Sequence, residues 1–121
     1  KYLNKQNNTK VSIKNIKGTK SFIDSLSDYL TSKNIKIVNK SNVNITLDIN
    51  RNYSKTQYFD IVIYTINLKT VYKNNIVGNR KYEMKLHNKG DVKRLDEKAS
   101  KQFLAKIQGM SLMEVFSFQE Q

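Results

Sequence analysis

The sequence predicts an α+β domain: an antiparallel sheet of four to five strands with two amphipathic helices on one face, in the order β-α-β-β-β-β-α. Three observations predict it. Val43, Ile45, Leu47 and Ile49 alternate with Asn44, Thr46, Asp48 and Asn50, the period-two pattern of a strand buried on one side. Phe22, Ile23, Leu26, Tyr29 and Leu30 recur at the spacing of one helical face, and Val92, Leu95, Ala99, Phe103 and Ile107 repeat that spacing near the other end. The 121 residues make one domain of common size, long enough to bury roughly two-thirds of the surface it exposes when unfolded.

Taken in order, residues 1–10 (KYLNKQNNTK) are polar and read as a flexible leader, which leaves 11–121 as the domain. Val11 and Ile13 alternate as a first strand. The first helix follows, with Ser21 and Asp24 spaced as a capping pair and Asn34 suited to a left-handed C-terminal position. Residues 35–38 form a short strand before the alternating strand of 43–50. The next strand ends in the turn Lys73-Asn74-Asn75. After it, Tyr82, Met84 and Leu86 point inward against Lys81, Glu83, Lys85 and His87 outward. Asp91 is placed to cap the last helix, and Gly109 to end or bend it before the apolar LMEVFSF.

The segment YFDIVIYTINLKTVYKNN (58–75) raises a question of parity. Its second half places Ile66 and Leu68 inward, and the same parity carried back puts Val62 and Tyr64 inward but Phe59, Ile61 and Ile63 outward. Two arrangements fit. A β-bulge near Tyr64 or Thr65 would return those three to the core, whereas without one they form an outer apolar patch that needs cover from a terminal segment or a partner.

Composition excludes several chemistries. There is no cysteine, hence no disulfide, thiolate metal site or Cys nucleophile. No apolar run approaches the ~20 residues of a membrane-spanning helix. His87 stands alone on the polar face near a loop and reads as a surface residue. Asp24 and Asp28 share a helix face without a visible third ligand, so they read as exposed helix acids and not as a metal site. No phosphate loop, dinucleotide fingerprint or nucleophile elbow occurs. The expectation is a protein without catalysis, cofactor or metal.

The net charge of +12 is concentrated. Residues 1–20 carry six lysines and no acid, and residues 69–94 carry eight basic side chains against Glu83 and Asp91, so each segment contributes +6. Pairing about the turn sets Lys69 and Lys73 beside Arg80, Lys81 and Lys85. Lys69, Lys81 and Lys85 are expected on the sheet's polar face, with Lys73 and Arg80 at its rim. Lys89, Lys93 and Arg94 either extend this basic hairpin or lie at its opposite end. Its expected partner is an anionic glycolipid or an acidic protein surface, the plain alternative being lysines that protect a sheet edge. Nucleic acid is the competing partner: residues 21–107 share part of the order of a double-stranded RNA-binding domain. The lysine-dense entry to that family's last helix is missing, however, and 19 Lys to 3 Arg disfavours base reading.

The run KVSIKNIKGTKSFIDSLSDYLTSKNIKIVNKSNVNITLDI resembles the opening of small envelope lipoproteins of Gram-negative bacteria. Across about 10–108 the order, length and closing helix are similar to the lipopolysaccharide-assembly (LptE-like) lipoprotein family. The resemblance implies an exported accessory domain on the periplasmic side of the outer membrane, held by a lipid anchor upstream of residue 1. That expectation accords with a chain starting at Lys1. It carries over no individual site residue.

Overall fold

Three strands of 13 residues each, β3 (Val43–Lys55), β4 (Asp60–Tyr72) and β5 (Asn75–His87), make an antiparallel meander that is the body of the molecule. The computed structural model describes residues 10–17 and 20–117. Ahead of the meander come β1 (Lys10–Lys17), α1 (Lys20–Ser32) and β2 (Lys36–Ile37), and after it α2 (Val92–Gln108) and α3 (Leu112–Phe116). The strands lie in the order β2-β1-β3-β4-β5. The α+β class is the predicted one, and the element order matches up to α2, with the short α3 added after it.

One direction in the sheet differs. β1 pairs parallel with β3, from Ser12↔Asn44 onward, and parallel with β2, so the sheet is mixed. A helix follows β1, and a strand that crosses over through a helix re-enters its sheet pointing the same way.

Period-two alternation fixes what each long strand buries. Ile45, Leu47 and Ile49 of β3, Val62, Tyr64, Ile66 and Leu68 of β4, and Tyr82, Met84 and Leu86 of β5 share one buried face. Both long helices cover it. Phe22 of α1 meets Tyr64 and Phe103 at ring centroid distances of 5.9 and 6.2 Å, and Phe103 meets Tyr82 edge-on at 5.7 Å. The helices touch side by side, where the Ser25 hydroxyl donates to the Ser100 carbonyl at 3.1 Å. Leu26, Leu30, Leu95, Ala99 and Ile107 complete the layer.

Local signals succeed at most element ends. Asp91 caps α2 by accepting from the Arg94 amide at 2.8 Å, and Asn34 takes the left-handed conformation (φ 63°) that closes α1. Lys73 and Asn74 have φ of 50° and 70°, the pair of positive values a type I′ hairpin needs, so the turn is two residues long and Asn75 already belongs to β5. Elsewhere the expectations shift. Lys20 is already helical, so Ser21 lies inside the first turn and does not cap it, while Asp24 makes an exposed ion pair with Lys20 at 3.8 Å. Val92 opens α2 too early to reach the core and is exposed, as is Ile37 in the short β2. β1 already starts at Lys10, the last residue of the expected leader; the rest of that leader, 1–9, falls outside the described residues.

The bulge is present, but not where parity suggested. Pairing of β3 with β4 runs without a shift from Val43↔Tyr72 to Lys55↔Asp60, so nothing flips at Tyr64 or Thr65. Register slips between β4 and β5 instead: Thr70 faces Gly78 and Val71 faces Ile76, leaving Val77 as the extra residue. Phe59, Ile61 and Ile63 therefore stay off the helix-covered face. Among the described residues, no helix is long and apolar enough to cross a membrane.

Candidate functional site

The face of the sheet turned away from the helices is set by the same alternation. Reading across β3, β4 and β5, its rows are Thr46–Lys69–Asn79, Asp48–Asn67–Lys81, Asn50–Thr65–Glu83, Asn52–Ile63–Lys85 and Ser54–Ile61–His87. β1 extends it: Lys14 stands beside Thr46, and the Ser12 hydroxyl donates to the Asn44 side-chain oxygen. Amides, hydroxyls and ammonium groups dominate, a surface that recognises ligands through many hydrogen bonds and a few charges.

A shallow depression of about 330 Å³ lies on this face, lined by Thr46, Asp48, Asn67, Lys69 and Asn79. Its floor holds the Oδ1 atom of Asp48, buried and without a hydrogen-bond partner. A carboxylate oxygen in that state normally acquires a donor, from water or a ligand. The group set offers donors and acceptors to hydroxyls, and an ammonium to a phosphate or carboxylate. Among the described residues, no three His, Cys, Asp or Glu side chains cluster as metal ligands.

The basic hairpin is brought together only in part. Lys69 and Lys81 sit in adjacent rows as diagonal neighbours, for which backbone separation is roughly 7–8 Å. Lys85 shares their face but lies four residues further along, roughly 14 Å from Lys81, with Glu83 between them. Lys73 occupies the turn itself, its ammonium 5.3 Å from the centroid of the Tyr72 ring.

Arg80 does not belong to this set. It has the inward parity of Tyr82, Met84 and Leu86, and its Nε donates to the Glu114 carbonyl at 2.8 Å while Nη2 donates to the Ser117 hydroxyl at 3.0 Å. It satisfies the C-terminal carbonyl end of α3, where a cation is favoured. Lys89, Lys93 and Arg94 lie at the opposite end of the hairpin. Their loop is tied to the base of β4, where the Asn88 amide donates to the Asp60 carbonyl at 2.9 Å. From Lys69 to Ile61, which pairs with His87, is eight residues of strand, roughly 27 Å.

Of the apolar patch, Ile61 and Ile63 lie on this face, half-buried, and Phe59 is exposed in the β3–β4 turn, where the Thr56 hydroxyl receives its amide at 3.1 Å. His87 ends β5 exposed on the same face, and Asp24 and Asp28 are exposed on α1.

A polar constellation under the sheet escaped the sequence reading. Arg51 grips Asp96 of α2 with two bonds, Nε to Oδ1 at 2.9 Å and Nη2 to Oδ2 at 2.7 Å, and the Tyr64 hydroxyl donates to Oδ1 at 2.5 Å. The guanidinium also lies 5.6 Å from the Tyr64 ring centroid. Bonding to Asp96 raises the Arg51 pKa further, and burial, then the bond to Asp96, raises that of Tyr64. An open cleft of about 570 Å³, lined by Lys20, Ser21, Asp24, Val92, Lys93, Asp96 and Glu97, lies beside it, and the group locks α2 to the meander. Only part of its signal was available: Arg51 continues the inward parity of Ile45, Leu47 and Ile49, and Asp96 directly follows the core residue Leu95, but their meeting depends on where α2 packs.

No protein-family model matches the chain, and no curated protein sequence does. Solved structures do share its fold. A minor lipoprotein from Acinetobacter baumannii is 13% identical with a TM-score of 0.60, the match covering 83% of this chain and 90% of that one. A putative lipoprotein from Caulobacter crescentus is 11% identical with a TM-score of 0.59, covering 89% and 90%. The rare lipoprotein B from Shewanella oneidensis is 12% identical with a TM-score of 0.51, covering 83% and 85%. At these identities the likeness is one of fold.

Proposed function

We propose that the protein is a non-catalytic accessory domain of the bacterial envelope, lipid-anchored on the periplasmic side of the outer membrane. Its open sheet face holds an anionic envelope component, a phosphate-bearing glycolipid such as lipopolysaccharide. One observation carries this reading: the depression on that face, where Lys69 stands among the hydroxyl and amides of Thr46, Asn67 and Asn79 with Lys81 in the next row. Sugars with phosphates need that mixture, hydrogen-bonding groups for the ring hydroxyls and a cation for each phosphate. The fold it shares with lipoproteins of Acinetobacter baumannii, Shewanella oneidensis and Caulobacter crescentus supports the setting.

A protein partner is the second reading, favoured by Ile61 and Ile63 on the same face and Phe59 at its margin. Lys69→Glu, Lys81→Glu and Lys85→Glu together separate the two. All three side chains are exposed, so the fold should survive, and salt-sensitive binding to lipopolysaccharide should be abolished. If the triple variant binds lipopolysaccharide as well as the wild type, the glycolipid reading fails. Loss of a protein partner on Ile61→Ser instead would establish the second.

A further inference from the structure

The two ends of the sheet are chemically unlike. At the end holding the β4–β5 turn, Tyr72, Ile76 and Val77 are 44%, 63% and 46% exposed. The register places Tyr72 on the helix side, Ile76 opposite Val71 on the outer side, and Val77 in the bulge between, so exposed apolar side chains flank the turn. Beside it stand four exposed lysines. Lys73 is in the turn, its amide bonded to the Asn42 carbonyl; Lys10 pairs with Lys36; and Lys40 precedes Ser41, whose hydroxyl donates to the Lys10 carbonyl at 2.5 Å.

Acids are scarce in the strands and loops of this end. The stretches that build this end, 10–17, 29–47 and 61–82, contain no Asp or Glu. Glu114 on α3 keeps its charge in its capping box, accepting from the Ser111 amide at 2.9 Å, and it stands by Arg80, which donates to its carbonyl. The far end differs: exposed Tyr53, Tyr58 and Phe59 there are accompanied by Asp60 and Asp91 among the cations.

We propose that the β4–β5 end is a membrane-docking surface for anionic phospholipid. Tyr72, Ile76 and Val77 enter the boundary between headgroups and acyl chains, and Lys10, Lys36, Lys40 and Lys73 neutralise lipid phosphates. Exposed apolar side chains accompanied by four lysines match an anionic lipid interface, which takes apolar groups and cations side by side. Lysine suits the rim, since its stem can lie along apolar surface while the ammonium stays at the phosphates. The inference uses none of the side chains of the outer-face depression, so it stands or falls separately from the glycolipid reading.

Sedimentation with vesicles tests it, comparing phosphatidylcholine alone with phosphatidylcholine mixed with phosphatidylglycerol. The protein should bind the mixed vesicles only, and high salt should release it. Ile76→Ser with Val77→Ser should weaken binding roughly tenfold, and Lys40→Glu with Lys73→Glu by at least about as much, from about fivefold for each surface lysine. All four positions are exposed, and circular dichroism confirms that each variant is folded. Phe59→Ser, at the far end, should change nothing. Absence of binding to mixed vesicles at low salt would overturn the proposal, as would full binding by both double variants or weakened binding by Phe59→Ser.

Discussion

Tyr82 and Arg51 both put a polar group under the sheet, with opposite outcomes. The Arg51 guanidinium, the Asp96 carboxylate and the Tyr64 hydroxyl satisfy one another, whereas the Tyr82 hydroxyl is buried with no hydrogen-bond partner. An orphaned hydroxyl costs about 1–3 kcal/mol of desolvation, so Tyr82→Phe should be neutral or should stabilise the fold by up to about 1 kcal/mol in a denaturant melt. The pH dependence sharpens this. Burial raises the Tyr82 pKa, so its contribution is fully present below the ordinary phenol value of about 10 and is lost as pH rises through the folded value. The advantage of Tyr82→Phe over the wild type should therefore grow when the melt is repeated above about pH 10. A variant less stable than wild type at neutral pH would mean that the hydroxyl has a partner. Neither state of satisfaction is legible in sequence: parity shows that Tyr64, Tyr82 and Arg51 point inward, but only the position of α2 decides which of them meets Asp96.

Element ends divide according to the backbone they need. Gly109 closes α2 with φ −89°, a conformation open to any residue, and a Cβ there would meet nothing within 4 Å. Gly109→Ala should raise stability by about 0.4–1 kcal/mol through the unfolded chain's lost freedom. Gly78 is the contrary case. An added Cβ would lie 2.8 Å from the Ser117 hydroxyl and 2.9 Å from the Phe116 carbonyl, so Gly78→Ala should push α3 off β5 and lower the melting temperature. If both alanines had the same effect, the docking of α3 on Gly78 would be wrong. The helices, the turn at Lys73-Asn74 and the three long strands were legible because periodicity and turn chemistry are local. The parallel setting of β1 was not, since alternation reports which face a residue takes and not which way a strand runs. The bulge at Val77 was missed because parity was followed inside β4 alone, while register belongs to a pair of strands.

On the scale of the whole molecule, one face of the sheet is sealed by α1 and α2, and the other carries the hydrogen-bonding rows, Lys69, Lys81 and the depression over Asp48. The alternation that makes a core thus also leaves an open polar face, and that much of the candidate site could be read from sequence. Its limits could not. Arg80 is drawn under the sheet by α3, and Lys89, Lys93 and Arg94 are carried to the far end by a strand of 13 residues. On the proposed reading the outer face, and not the helix layer, holds the ligand. The absence of cysteine allows a direct footprint. Asn79→Cys places a thiol at the depression and Lys101→Cys places one on the exposed side of α2, and the rate of maleimide labelling is measured for each with and without lipopolysaccharide. Protection at position 79 with an unchanged rate at 101 is the predicted result; equal rates at 79 with and without the glycolipid, or protection at 101 alone, would contradict the claim.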